Sequence, residues 1–247
     1  MLKILKKIIS IASPSRCIMC NNFINEINDG ICHKCIKNFK YIEAPFCEIC
    51  SQPFYYDQNE ISIKEKKKIT CGNCQRKKPN YDKAISVFKY NFASKKIILP
   101  LKHGDKTSYS KIIAKIIFNR FQKIINENDL ITPTPIHKKR YSKRKYNQAL
   151  LIANEVANLS KKKIIRDGLI RYNFKTSQGR LSTKQRIKNV SNSFKINDNE
   201  KNKFKDKNVI LIDDVIATGA TINECAKALK KAGAKKVIAI SFAKTCL

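Results

Sequence analysis

The chain has 247 residues, with 51 Lys and Arg against 19 Asp and Glu, a formal net charge of +32. That length holds one mid-sized α/β domain and a small second module. An ordinary hydrophobic content of 43% without an apolar run long enough for a membrane span excludes a helical integral membrane protein and predicts a soluble, cytoplasmic one. The charge leaves two readings open, because it is spread along the chain and Lys far outnumbers Arg. One is a solvated Lys-rich surface; the other is affinity for polyanions such as nucleic acid.

Residues 1–13 imitate a signal peptide, but Lys3, Lys6 and Lys7 interrupt the apolar run. Leu2, Leu5, Ile8 and Ile9 instead suit a short amphipathic helix. Residues 14–80 follow as a cysteine module. Of ten cysteines, eight fall in four Cys-x-x-Cys pairs: Cys17 and Cys20, Cys32 and Cys35, Cys47 and Cys50, Cys71 and Cys74. Each pair presents two thiolates to one ion, and two pairs complete the closed tetrahedral set of a structural Zn²⁺. Sequential pairing, giving two zinc ribbons, closes short loops at low entropic cost; crossed pairing is the alternative. His33 is read as a bystander, the polar stretch from Tyr55 to Thr70 as a mobile excursion, and Cys225 and Cys246 as plain thiols. Too few large apolar residues occur here for an independent core, so metal is expected to supply most of the stability.

From residue 81 to 247 the pattern is α/β. Ala84–Tyr90 alternates as a strand, Ser94–Leu101 reads as a helix stopped at Gly104, and Tyr109–Ile125 has helical spacing of Ile. Leu130–Thr132 is a strand running into Pro133 and Pro135. The loop that follows carries Lys138, Lys139, Arg140, Lys143, Arg144 and Lys145 before a helix over Ala149–Leu159. A basic loop between a strand end and a helix start is a candidate anion site. Ile164–Arg171 reads as one more strand. Thr176–Val190 reads as a mobile basic flap with Ser182 as an N-cap, and Lys195–Asn208 as a charged connector.

The most informative stretch is Val209–Thr221. Val209–Ile212 reads as a buried parallel strand, with Asp213 and Asp214 where it ends. Ala217, Thr218, Gly219, Ala220 and Thr221 form a small-residue loop into a helix. Free backbone N–H groups and the helix dipole make such a junction a phosphate cradle. Carboxylates beside it would repel the phosphate unless they accept from sugar hydroxyls or hold Mg²⁺. The combination fits a ribose 5-phosphate. It resembles the 5-phosphoribosyl-1-pyrophosphate (PRPP) motif of type I phosphoribosyltransferases. Val237–Ala243 is the last strand.

The whole order is similar to the ComF family, a double zinc ribbon ahead of a domain related to amidophosphoribosyltransferases. The likeness rests on the four cysteine pairs, Leu101-Lys102-His103-Gly104, Pro133-Thr134-Pro135, Arg140, Arg144, Asn147-Gln148, Arg171, Gln178, Leu181, Arg186, Asn189, Phe194 and the Asp213-Asp214 motif. Two positions depart from it: Lys145 stands where members usually have Gly, and Ala217 where they often have Thr. The resemblance implies a type I phosphoribosyltransferase fold, a parallel sheet flanked by helices. It implies PRPP with Mg²⁺ as ligand, Asp213 and Asp214 on the ribose hydroxyls, Ala217–Thr221 on the 5-phosphate, and Lys138, Lys139, Arg140 and Arg144 facing pyrophosphate. Lys184 and Arg186 are candidate catalytic groups stabilising the departing pyrophosphate. DNA uptake during competence is the implied setting, with competence-machinery proteins as partners. Whether a phosphoribosyl group is transferred, and to which acceptor, stays open. The alternative is a non-catalytic factor binding single-stranded DNA through the ribbons and the basic surface.

Overall fold

A computed structural model of the chain describes residues 16–24, 30–54, 69–173 and 183–246, leaving aside the side chains of Lys143, Thr183, Lys184 and Arg186. The expected helix at 1–13, most of the excursion between Cys50 and Cys71, and the flap stretch 174–182 lie outside the described residues. In chain order the elements are α1 (His33–Ile36), α2 (Gly72–Arg76), β1 (Lys83–Lys89), α3 (Phe92–His103), α4 (Tyr109–Asn126), β2 (Leu130–Pro133), α5 (Lys138–Arg144), α6 (Gln148–Ser160), β3 (Lys163–Ile164), β4 (Leu169–Arg171), α7 (Thr183–Val190), β5 (Phe194–Ile196), β6 (Asn208–Ile216), α8 (Ala220–Lys231) and β7 (Lys236–Lys244).

Five strands form one sheet in the order β1-β7-β6-β2-β3, every pair parallel. The unbroken apolar run of β6 follows from burial on both faces. Ile210 and Ile212 point into one layer with Ile113 and Ile117 of α4 and Ile152 and Val156 of α6. Val209 and Leu211 point into the other with Ile222, Cys225 and Leu229 of α8. β4 and β5 pair antiparallel as a separate two-stranded sheet.

Several elements differ from expectation. α3 begins at Phe92, because Asn91 and Ser94 form a reciprocal cap: Ser94 N donates to Asn91 Oδ1 at 3.0 Å and Asn91 N to Ser94 Oγ at 2.8 Å. The basic stretch is a helix, α5, not a loop, capped by His137 Nδ1, which accepts from Lys139 N at 3.2 Å. The single strand expected over Ile164–Arg171 is two: β3 extends the main sheet, and β4 leaves it to pair with β5. The charged connector holds β5 and a 3-10 turn over Asp198–Phe204, whose Phe204 is fully buried. β6 does not end before the two acids; it continues to Ile216.

The cysteine module shares the core of the larger domain. Phe39 and Ile31 join the same apolar layer as Phe88 and Phe242, and the Phe39 and Phe88 rings lie 4.9 Å apart. Residues 40–42 run antiparallel to β1, with Ile42 N donating to Val87 O at 3.0 Å and Lys89 N to Lys40 O at 2.7 Å. That segment closes what would be an open sheet edge. Among the described residues, no helix is long and apolar enough to cross a membrane.

Candidate anion cleft and cysteine centres

The turn after β6 is the focus of a cleft of about 180 Å³. Its floor is Asp213, Val215 and Ile216; one wall is Ala217–Ile222, and the other is Arg140, Arg171, Asn189 and Val190. Gly219, at φ 76, is the N-cap of α8 and offers no side-chain cap. A left-handed residue is needed there, and glycine supplies it without a Cβ penalty. The first-turn N–H groups of α8 have no helical carbonyl to bond; Ala220 N finds only a long contact to Thr218 Oγ1, at 3.4 Å. These donors, the positive end of the helix dipole and two guanidinium groups share one space, which makes it a candidate anion site.

Strand alternation parts the two acids. Asp213 faces the cleft. Asp214 turns to the opposite face, where it is 7% exposed, and its Oδ2 lies 2.9 Å from Lys102 Nζ. Burial, and then the charge of Asp214, push the Asp213 carboxyl up to about 7, against the opposing effects of Lys102, the Asp214 amide and the Thr134 hydroxyl. The amide contact is Asp214 N donating to Asp213 Oδ1 at 2.9 Å. Thr134 is itself fixed: its N–H donates to Ile212 O at 2.9 Å, and its carbonyl accepts from Asn147 Nδ2 at 2.9 Å. Asn147 Oδ1 in turn caps α6, accepting from Ala149 N at 3.0 Å.

The basic residues of α5 do not act as a set. Arg140 reaches the cleft, whereas Arg144 turns back so that its guanidinium donates to Gln148 Oε1 at 3.2 Å. Lys138 and Lys139 are exposed and do not line the cleft. Lys184 and Arg186 lie on α7, whose Asn189 and Val190 close the cleft; their side chains are outside the described residues. Sequence reasoning gave Arg171, Thr134 and Lys102 no role. Arg171 stands at the end of β4, and burial, then the charge of Arg140, hold its basicity below the usual arginine range. In the sequence Arg171 stands among the positions that carry the family likeness, with no role attached, and the β4–β5 pairing brings it to the cleft.

The eight paired cysteines gather sequentially into two centres, Cys17, Cys20, Cys32 and Cys35, and Cys47, Cys50, Cys71 and Cys74, each with all four sulfurs within 4.8 Å of one another. Zinc–sulfur bonds of about 2.3 Å in a tetrahedron put sulfurs about 3.8 Å apart. Cys20 Sγ to Cys32 Sγ is 3.7 Å, and so is Cys50 Sγ to Cys71 Sγ. Burial works against ionising Cys17, yet the N–H groups of Cys32, Cys20 and Met19 bring its thiol down to about 6. The same balance at Cys47, with N–H groups of Cys71, Cys50 and Ile49, gives about 7. At Cys35, Cys50 and Cys74 burial and the neighbouring cysteines raise the thiol instead, so it is the donor set and the spacing that fit structural zinc.

Comparison with known proteins agrees with this architecture. Residues 8–75 match the family described as a double zinc ribbon domain, and residues 147–245 match the phosphoribosyl transferase domain. Competence protein F of Haemophilus influenzae is 28% identical over 228 residues, covering 90% of this chain and 93% of that protein. DNA utilization protein YhgH of Salmonella typhimurium is 22% identical, covering 91% and 94%. Competence protein ComFC of Bacillus subtilis is 23% identical, covering 85% and 82%. With a double zinc ribbon ahead of a phosphoribosyltransferase domain, and relatives that align along most of its length, the chain resembles the ComF-family proteins in domain order and extent.

Proposed function

We propose that the chain binds PRPP together with Mg²⁺ in the cleft between α8, α5 and β4, and that it serves DNA uptake or use, as the names of its relatives suggest for them. The observation that carries this reading is the meeting of an uncapped helix N-terminus, two arginines and one cleft-facing carboxylate in a single cleft. The 5-phosphate takes the first-turn N–H groups of α8 and the Thr218 and Thr221 hydroxyls. Asp213 accepts from the ribose hydroxyls. Arg140 and Arg171 face the diphosphate, whose charge needs bidentate cationic donors. Mg²⁺ is held by one or two carboxylates together with substrate phosphates; Asp213 is the cleft's acid and fits that part. When bound, Mg²⁺ supplies charge neutralisation for the diphosphate. Transfer of the phosphoribosyl group to an acceptor is the further step this site would support.

Isothermal titration of the full chain with PRPP and Mg²⁺ tests the reading. Because Asp213 holds its proton to about pH 7, its acceptor strength is present above that pH and lost below it. Affinity is expected to rise between pH 6 and pH 8 more steeply for wild type than for Asp213→Asn, which titrates no group at this position. Absence of binding at both pH values, or no competition by ribose 5-phosphate, overturns the proposal.

A further inference from the structure

The two cysteine centres have the same ligand set but different neighbours. Cys17 of the first centre packs into the layer of Phe39, Ile97 and Phe242, across the sheet from α8. Ile49 and Cys50 of the second pack against the layer that holds Tyr81, Ile216 and Ile222, the last two of which also line the anion cleft.

Two short connections leave the second centre, one into β1 and one to the start of α8. The first passes through β1. Ile49 O accepts from Ala84 N at 2.7 Å, and Ser51 Oγ, 2% exposed, donates to Ala84 O at 2.7 Å. The second leaves Cys74 along the chain. Asn80 N and Asn80 Nδ2 both donate to Asn223 Oδ1, at 2.8 and 3.2 Å, and Asn223 N closes the first turn of α8 by donating to Gly219 O at 2.9 Å. The next residue, Tyr81, is 8% exposed, and its hydroxyl stands 3.7 Å from where a Cβ on Gly219 would be. Gly219 itself has no side chain to anchor it, so the Asn80–Asn223 bonds and a tyrosine hydroxyl standing beside the turn limit how far the uncapped loop can open.

We propose that the second cysteine centre braces the phosphate loop, with Asn80 and Tyr81 as positioning residues, so that zinc retention by Cys47, Cys50, Cys71 and Cys74 and ligand binding in the cleft are coupled. The inference rests on the reading of the cleft as a ribose 5-phosphate site. Coupling between two sites is reciprocal: if an ordered centre tightens the cleft, an occupied cleft must tighten the centre by the same factor. The first centre, on the other side of the sheet, serves as the internal control.

The experiment is an equilibrium competition for zinc between the full, zinc-loaded chain and a soluble chelator, with and without saturating ribose 5-phosphate. Differential cysteine alkylation read by mass spectrometry reports which centre has lost its metal. Ribose 5-phosphate is expected to raise the chelator concentration needed to strip the second centre by about fivefold and to leave the first unchanged. Asn223→Ala, on the outer side of α8 and not lining the cleft, should abolish that selective protection while both centres still load zinc. A general stabilisation of the fold would protect both centres alike. If wild type binds ribose 5-phosphate and the second centre is protected no more than the first, the brace is overturned while the cleft stands. If wild type does not bind ribose 5-phosphate at all, the reading of the cleft fails and the brace with it.

Discussion

The cleft has two positively polarised walls of different kinds. The α8 wall is made of backbone: small residues, a glycine at φ 76 and amides at a helix start. The α5 wall is made of side chains, and among its described basic residues Arg140 is the one that reaches the cleft. Backbone donors are fixed by the fold and need no side-chain ordering to meet an anion. Flexible cations must be held, and where a neighbour such as Gln148 holds them elsewhere, as with Arg144, their charge serves the structure. A dense run of Lys and Arg is therefore a poor guide to which cations touch a ligand.

The largest effect should come from the backbone wall. Gly219→Val places a β-branched residue at φ 76, a conformation that stores about 1–3 kcal/mol of strain. The loop is expected to relax by turning its amides out of the cleft. Affinity for ribose 5-phosphate should fall on the order of 100-fold in isothermal titration, with zinc content retained. A loss of less than about threefold would mean that the loop does not carry the phosphate.

The side-chain wall should respond unevenly. Arg140→Ala removes one charge-assisted donor pair and should weaken PRPP binding by about tenfold. Lys138→Ala and Lys139→Ala, exposed and screened by salt, should each change it by less than about twofold. Equal losses at all three positions, measured in the same titration at 0.15 M salt, would replace directed contact with a diffuse field as the account of α5.

How much of this was legible in the sequence follows the same division. Val209–Ile212, the small-residue turn and α8 were readable, because buried parallel strands and helix N-termini are local patterns of residue type. The cysteine centres were readable for the same reason: each Cys-x-x-Cys pair is a local metal knuckle. The opposite facing of Asp213 and Asp214 does not follow from a strand that stops at Ile212. Once β6 is seen to run to Ile216, alternation alone separates the two carboxylates. Arg171 and Thr134 were not readable as site residues, since their positions depend on β4 leaving the main sheet and on Asn147 holding the Thr134 carbonyl. The packing of Phe39 and residues 40–42 onto β1 is likewise long-range, so the cysteine module reads as separate in sequence and is shared in the fold.

Lys145 is where sequence and structure meet most closely, and it gives the smallest prediction. ComF proteins usually carry Gly after the arginine of this segment, and Gly permits a left-handed backbone. The structure gives Lys145 φ 64 and ψ −14 as the C-cap of α5, with its N–H donating to Tyr141 O at 2.7 Å. A non-glycine residue held there is strained by about 1 kcal/mol. Its side chain, 77% exposed and 4.0 Å from the equally exposed Asp105, offsets little of that. Lys145→Gly should therefore stabilise the chain by about 1 kcal/mol, read as a shift in denaturant midpoint at constant slope. It should leave PRPP affinity within about twofold, because the lysine charge lies outside the cleft. A stabilised variant with unchanged affinity would show that the C-terminal end of α5 lies outside the anion site. A variant that binds markedly worse would make the end of α5 part of the anion site after all.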